Sequence, residues 1–272
     1  MNLRFSRTPR LFTLFFTLFL LVPIFAPMNF VILQPGNGTG LFPKVLTVKS
    51  SDFQIYKPNG QMYLLAIWVS TPDTKVLGAE VLGCWVRADC VVFPRSVIYK
   101  RTSTSSGESA QSRKEMKDSQ SDALTATKNL MSKRYPTIDT RGVRDSLITV
   151  NLPNTGGPSG GLIFSLGLLE LLTPEDLLQG RKIAGSGTIS ADGSVGAIGG
   201  IAEKLISAKK TGATILFASR SNCDEIPKNV SGITVIAISN LEQALTYLQK
   251  PVSPDAKAID SAGIYGCTNL GA

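Results

Sequence analysis

Hydrophobic and polar positions change their rhythm several times along this chain, and each rhythm predicts an element. Leu11 to Leu33 (LFTLFFTLFLLVPIFAPMNFVIL) is unbroken: 23 residues without a charge, long enough as one helix to cross a bilayer core. Pro23 and Pro27 would kink such a helix without excluding it. Gln34–Gly40 is a glycine-rich juncture, and Val45–Val69 alternates loosely, as strands do. A polar loop at Thr102–Gly107 precedes Ser109–Leu130, where Met116, Ala123, Ala126 and Leu130 recur near helical spacing. Tyr135–Arg144 is a short polar connector.

From Leu147 the pattern is that of an α/β domain. Leu147–Leu152 alternates as a strand, and Gly160–Leu172 is so uniformly apolar that it reads as a buried helix. Thr173-Pro174-Glu175-Asp176 has the cap, the N1 proline and the early acids of a further helical turn. Lys182–Ile189 and Val195–Ile198 flank Ala191-Asp192-Gly193-Ser194, a hairpin signal. Ile201–Thr211 reads as a helix closed by Gly212. Thr214–Ala218 and Ile233–Ile238 read as core strands, and Leu241–Gln249 as a last helix. The regions are therefore a basic tail (1–10), a transmembrane helix (11–33), a smaller N-terminal α/β region (34–146), an α/β (α+β) domain (147–250) and a C-terminal tail (251–272).

Charge fixes the orientation expected of the anchor. Of the formal +8, Arg4, Arg7 and Arg10 precede the apolar run with no acid among them, which places the N-terminus in the cytoplasm and everything after Leu33 outside it, in a single-pass cell-membrane protein. A cleaved signal peptide is the alternative, but the stretch is long for one and no clean A-x-A site follows. The other basic residues lack the aromatic interleaving of a single-strand binder and any helix-turn-helix or zinc-finger pattern, so nucleic acid is not an expected partner. Cys84, Cys90, Cys223 and Cys267 are an even count suited to an oxidising exterior, with three pairings open and four buried thiols as the alternative. With no histidine and no C-x-x-C, a metal site is not expected. Gly185-Ser186-Gly187-Thr188 is not a phosphate loop, since no G-K-[ST] follows; it better suits a sheet edge approached closely by another backbone, such as a substrate strand. No cofactor is expected.

The candidate chemistry lies in two glycine-rich turns. Ser159 sits in Thr155-Gly156-Gly157-Pro158-Ser159-Gly160-Gly161, between a strand and a buried helix. Glycines there admit a close substrate carbonyl, and the N–H groups around Gly157, Pro158 and Gly160 at a helix start suit an oxyanion. The same string also suits a serine that merely caps a helix. Lys204 follows Gly199-Gly200-Ile201-Ala202-Glu203 and leans toward the apolar side defined by Ile201, Leu205 and Ala208. Burial would lower its pKa, and a neutral amine can take a proton from a serine hydroxyl. Alone, Lys204 reads as well as a snorkelling surface lysine. In a chain without histidine, however, an amine is the best activator available to a serine nucleophile.

At these residues the chain resembles the proteolytic domain of Lon-type proteases, which carry G-P-S-A-G and G-G-x-x-E-K-like elements as a Ser-Lys dyad. The matches are Gly157–Gly161 and Gly199–Lys204, joined by similar Arg181–Ile189 and Asp192–Ile198, and the resemblance spans about Leu147 to Leu248. More narrowly, the anchor, the Pro35-Gly36 juncture, Val91–Arg95, Met116–Ala123 and Ser221–Glu225 resemble membrane-anchored, PDZ-containing Lon-like proteases of Gram-positive bacteria. The resemblance implies an ATP-independent, extracytoplasmic serine endopeptidase acting on peptide or protein substrates, with Ser159 as nucleophile, Lys204 as base and Ser186 orienting it. It also implies the pairs Cys223–Cys267 and, by remainder, Cys84–Cys90. There are two departures. Only about Met131 to Ser146 fills the place of the PDZ domain, and Gly160 stands for the usual alanine, loosening the helix start. These departures keep open a non-catalytic module of Lon fold that binds an envelope protein. The oligomeric state is open, a homo-oligomer included.

Overall fold

A computed structural model describes residues 9–49, 53–152, 155–251 and 264–267. It divides into two compact units, Pro35–Ile67 with Ser106–Ala272, and Met1–Gln34 with Trp68–Ser105.

The first of these units is built on a six-stranded sheet in the order Ile264–Tyr265, Thr234–Ile238, Ile215–Ser219, Lys182–Ser186, Gln61–Leu64, Thr39–Gly40. All neighbours run parallel except the last pair. Parallel strands covered on both faces need apolar side chains on both, and the period of two sorts them. Ile183, Ile215, Phe217, Ile236 and Ile238 join the core containing Leu162, Ile163 and Phe164, while Ala184, Leu216, Ala218 and Val235 join the one containing Ile201, Leu205 and Ala208. On the first face lies the helix Gly161–Leu172, all twelve residues of which are buried. The helix Ser105–Arg134, about a turn longer at each end than its apolar stripe predicts, meets it through Ser165 Oγ donating to the Ala123 carbonyl at 3.3 Å. The helix Ile201–Lys210 lies on the other face and stops at Gly212, whose φ of +74° is the left-handed turn that glycine permits.

Several sequence expectations are corrected. No helix starts at Thr173: before a proline its backbone is extended, and its hydroxyl instead closes the preceding helix on the Leu169 carbonyl at 2.8 Å. The following turn is held by Glu170, a buried carboxylate accepting the Leu177 N–H at 3.0 Å. Lys182–Ile189 is two strands, broken at Gly187. The second piece, Thr188–Ile189, forms the expected hairpin with Val195–Gly196. Gly185-Ser186-Gly187 is not at a sheet edge, because Lys182–Ser186 is paired on both sides. Ile148–Val150 pairs antiparallel with Leu46–Val48, apart from the main sheet.

In the other unit the uncharged run is not one helix. Arg10–Phe25 is helical, followed by short strands at Pro27–Met28 and Phe30–Pro35. Proline at 27 forces Ala26 into extended backbone, and the helix ends there. Among the described residues no helix is long and apolar enough to cross a membrane. Phe30–Pro35 is central in a three-stranded sheet with Ile67–Val69 and Val91–Pro94, and Pro27–Met28 pairs with Val76–Leu77, which leads into the helix Gly78–Val86.

Cys84 is bonded to Cys90 and Cys223 to Cys267, with sequence separations of 6 and 44. The longer loop loses more chain entropy when closed. Opening it by Cys223→Ser is expected to lower unfolding free energy by about 4 kcal/mol, against about 2 for Cys84→Ser. Urea melts of the two variants check the order.

Candidate active site

The turn carrying Ser159 is held from two sides. Gly157 has φ +88° and ψ 161°, a conformation open in practice only to glycine, and it reverses the chain so that Pro158–Gly160 forms a single 3-10 turn running straight into the helix Gly161–Leu172. Beneath it, the Gly157 N–H donates to the Ser112 carbonyl at 2.8 Å, and Ser119 Oγ donates to the Pro158 carbonyl at 2.9 Å. From the strand end, the Gly187 N–H and Ser186 Oγ donate to the Ser159 carbonyl at 3.0 and 3.3 Å. The contact is close enough that side chains would obstruct it. A Cβ at Gly161 would stand 2.7 Å from Ser119 Oγ, and one at Gly187 2.8 Å from the Val195 side chain. The close backbone approach expected at Gly187 is thus made by the Ser159 turn itself.

Lys204 enters from the other face of the sheet. Gly200, left-handed at φ +69°, starts its helix, which places Lys204 in the first turn with Ile201 and Leu205. Lys204 is 3% exposed and Ser186 is fully buried. Lys204 Nζ donates to Ser186 Oγ at 3.0 Å. Among the described residues it makes no ion pair, and burial alone pulls its pKa down from the ordinary lysine value to about 8. Three groups named from sequence therefore form a chain, Lys204 Nζ to Ser186 Oγ to the backbone carbonyl of Ser159. Among the described residues no hydrogen bond joins Nζ to Ser159 Oγ, so Ser186 is the hub of this resting arrangement. A neutral amine so placed can accept a proton from a nearby hydroxyl.

The candidate oxyanion donors are fewer than expected. The Gly157 N–H is committed to Ser112, Pro158 has none, and the Gly160 N–H closes the 3-10 turn, which leaves the amide of Ser159. Gly160 is buried, and a Cβ there would stand 2.8 Å from Leu64 Cδ1 and Phe164 Cε2. An alanine would have to displace both side chains. The two disulfides stand at Cys84–Cys90 and Cys223–Cys267, outside this cluster. Among the described residues no group of His, Cys, Asp or Glu could hold a metal.

Sequence reasoning gave Ser112 and Ser119 no role in the site. A signal existed for Ser119: it falls on the buried stripe of Met116, Ala123, Ala126 and Leu130, where a hydroxyl needs a partner. Ser119→Ala leaves the Pro158 carbonyl without that donor and is expected to cost about 1 kcal/mol in a denaturant melt.

Residues 106–250 match the family model of the Lon protease (S16) C-terminal proteolytic domain. The chain belongs to that family. A mitochondrial Lon protease homolog of Debaryomyces hansenii is 36% identical over 131 residues, 45% of this chain and 12% of that protein. Lon protease of Buchnera aphidicola subsp. Schizaphis graminum is 36% identical over 93 residues, 33% of this chain and 12% of that protein. Lon protease of Fusobacterium nucleatum subsp. nucleatum is 34% identical over 119 residues, 41% and 15% respectively. The chain thus spans only a small part, 12–15%, of the length of these relatives.

Proposed function

We propose that this chain is a serine endopeptidase that works without ATP, outside the cytoplasm, through a Ser159–Lys204 dyad. The observation that carries the reading is a buried Lys204, in no ion pair among the described residues and bonded to Ser186 at the foot of the Ser159 turn, in a chain with no histidine. Membership of a family of proteolytic domains supports the reaction class.

In the proposed cycle neutral Lys204 swings from Ser186 Oγ to Ser159 Oγ and takes its proton as Oγ bonds to the peptide carbonyl carbon. The amide of Ser159, at the start of a helix, stabilises the resulting oxyanion. The Lys204 ammonium then gives its proton to the departing amine, leaving an acyl-serine. Water, deprotonated by Lys204, releases the acid and restores the serine. Ser186 holds the lysine between these steps. Independence from ATP is part of this proposal, and turnover measured with and without ATP tests it. The segment between the helix ending at Arg134 and the strand starting at Ile148 is too short to hold a PDZ domain at that place.

The location is proposed from Arg4 and Arg7 ahead of the helix Arg10–Phe25, and Arg10 at its start, the helix being otherwise uncharged, with two disulfides in keeping. Turnover of a quenched fluorescent peptide by the purified full chain, with and without ATP, tests the activity. Protease added to intact protoplasts tests the orientation: the proteolytic domain should be digested, and its protection would reverse the topology.

A further inference from the structure

The helix Gly78–Val86 has an uncovered apolar face. Its buried stripe is Gly78, Val81 and Cys84. Its other side, Ala79, Leu82, Gly83 and Val86 at i, i+3, i+4 and i+7, is equally apolar and exposed, with Trp85 beside it. Leu82 is 48%, Trp85 70% and Val86 88% exposed. Such a stripe normally faces a partner. The helix is also rigidly held: the Glu80 carboxylate accepts the Leu77 N–H at 2.7 Å, and Cys84 is bonded to Cys90.

Two observations say what covers it. The first is continuity with the helix Arg10–Phe25, which buries none of its residues and carries no charge beyond Arg10. The two helices meet where Gly78 lies against the Pro23 backbone, so closely that a Cβ would overlap the Pro23 carbonyl, and the Gly78 N–H donates to the Ala26 carbonyl at 3.2 Å. The second is charge. Across residues 68–105, Lys75, Arg87, Arg95, Lys100 and Arg101 outnumber Asp73, Glu80 and Asp89. An apolar helix face with a tryptophan, in a segment of net positive charge and joined to an apolar helix, matches the boundary between anionic headgroups and acyl chains.

We propose that the Leu82/Trp85/Val86 face of the helix Gly78–Val86 is a membrane-docking surface, seated in the interfacial layer of an anionic bilayer beside the N-terminal helix. This rests on the anchoring reading above. It adds that the unit is held on the bilayer surface rather than hanging from a tether.

The chain has two tryptophans, Trp68 and Trp85, so Trp68→Phe leaves a single reporter on the proposed surface. The full-length variant is reconstituted into phosphatidylglycerol-containing vesicles, with and without bromine on the acyl chains. Flotation after an alkaline wash reads the anchor, and quenching of Trp85 by bromine reads the docking. The expected result is flotation together with at least about twofold quenching. Adding Leu82→Glu and Val86→Glu should abolish the quenching without abolishing flotation. Both positions are exposed, so the fold is retained. Flotation without quenching would overturn the surface while leaving the anchor intact. Shielding of Trp85 from aqueous acrylamide without bromine quenching would overturn it in favour of a second copy of the chain. Failure to float would overturn the anchor and this inference with it.

Discussion

Ser159→Ala and Lys204→Ala are each expected to reduce peptide turnover at least about a thousandfold, and the double variant to be little worse than either, because the two side chains would act as one unit. Lys204→Arg should be as inactive as the alanine variant, since a guanidinium cannot be deprotonated in this pH range. The change must appear in kcat rather than in KM, since neither group is asked to bind the ground state. Circular dichroism and thermal melts confirm that the variants are folded. Full turnover by Lys204→Ala would sink the dyad, and no turnover by the unsubstituted chain would leave a non-catalytic module of the same fold as the reading that survives.

Activity is expected to rise about tenfold per pH unit below pH 8 and to level off above it, because the fraction of neutral Lys204 follows a pKa of about 8 set by burial. The same burial makes stability depend on pH. In the unfolded chain the lysine titrates near its ordinary value of about 10.4, so between about pH 8 and 10.4 the unfolded state binds more protons and folding stability rises with pH. Below about pH 8 both states are charged and the full penalty of the buried ammonium applies, on the order of 3 kcal/mol. Lys204→Met should therefore be inactive yet more stable at neutral pH, with the difference closing as the solution is made alkaline. Denaturant melts of both proteins at pH 7 and 10 measure it. Ser186→Ala removes the oxygen that accepts from the charged amine, and its activity limb should move to lower pH. A profile flat from acid to alkali would exclude an amine base.

Much of the proteolytic unit could be read from sequence, because the signals are local. The uniformly apolar Gly160–Leu172 could only be a buried helix, and it is buried along its whole length. Short apolar runs that follow a glycine, at Ile215–Ser219 and Thr234–Ile238, read as core strands and are core strands. Ser159 and Lys204 could be named because each stands in a glycine-rich turn next to an element start, and because the sequence has no imidazole. Lys204 could be expected on the core side from its spacing to Ile201 and Ala208.

What tertiary structure alone decided is whatever depends on residues distant in sequence. Nothing near Lys182 tells whether its strand is at an edge; pairing with Gln61–Leu64, more than a hundred residues earlier, makes it central. Thr173 carries every local mark of a helix start, yet the carbonyl of Leu169 takes its hydroxyl first. The uncharged run Leu11–Leu33 looks continuous by composition, but partners at Val76–Leu77 and Val91–Pro94 draw its second half into strands. Ser119 looks like a polar residue on a soluble helix until the fold sets it under Pro158, 39 residues on. Hydropathy and turn chemistry act within a few residues and so are written in the sequence. Hydrogen-bond partners and the depth of burial that depresses the Lys204 pKa exist only once the sheet has brought Ser159, Ser186 and Lys204 together.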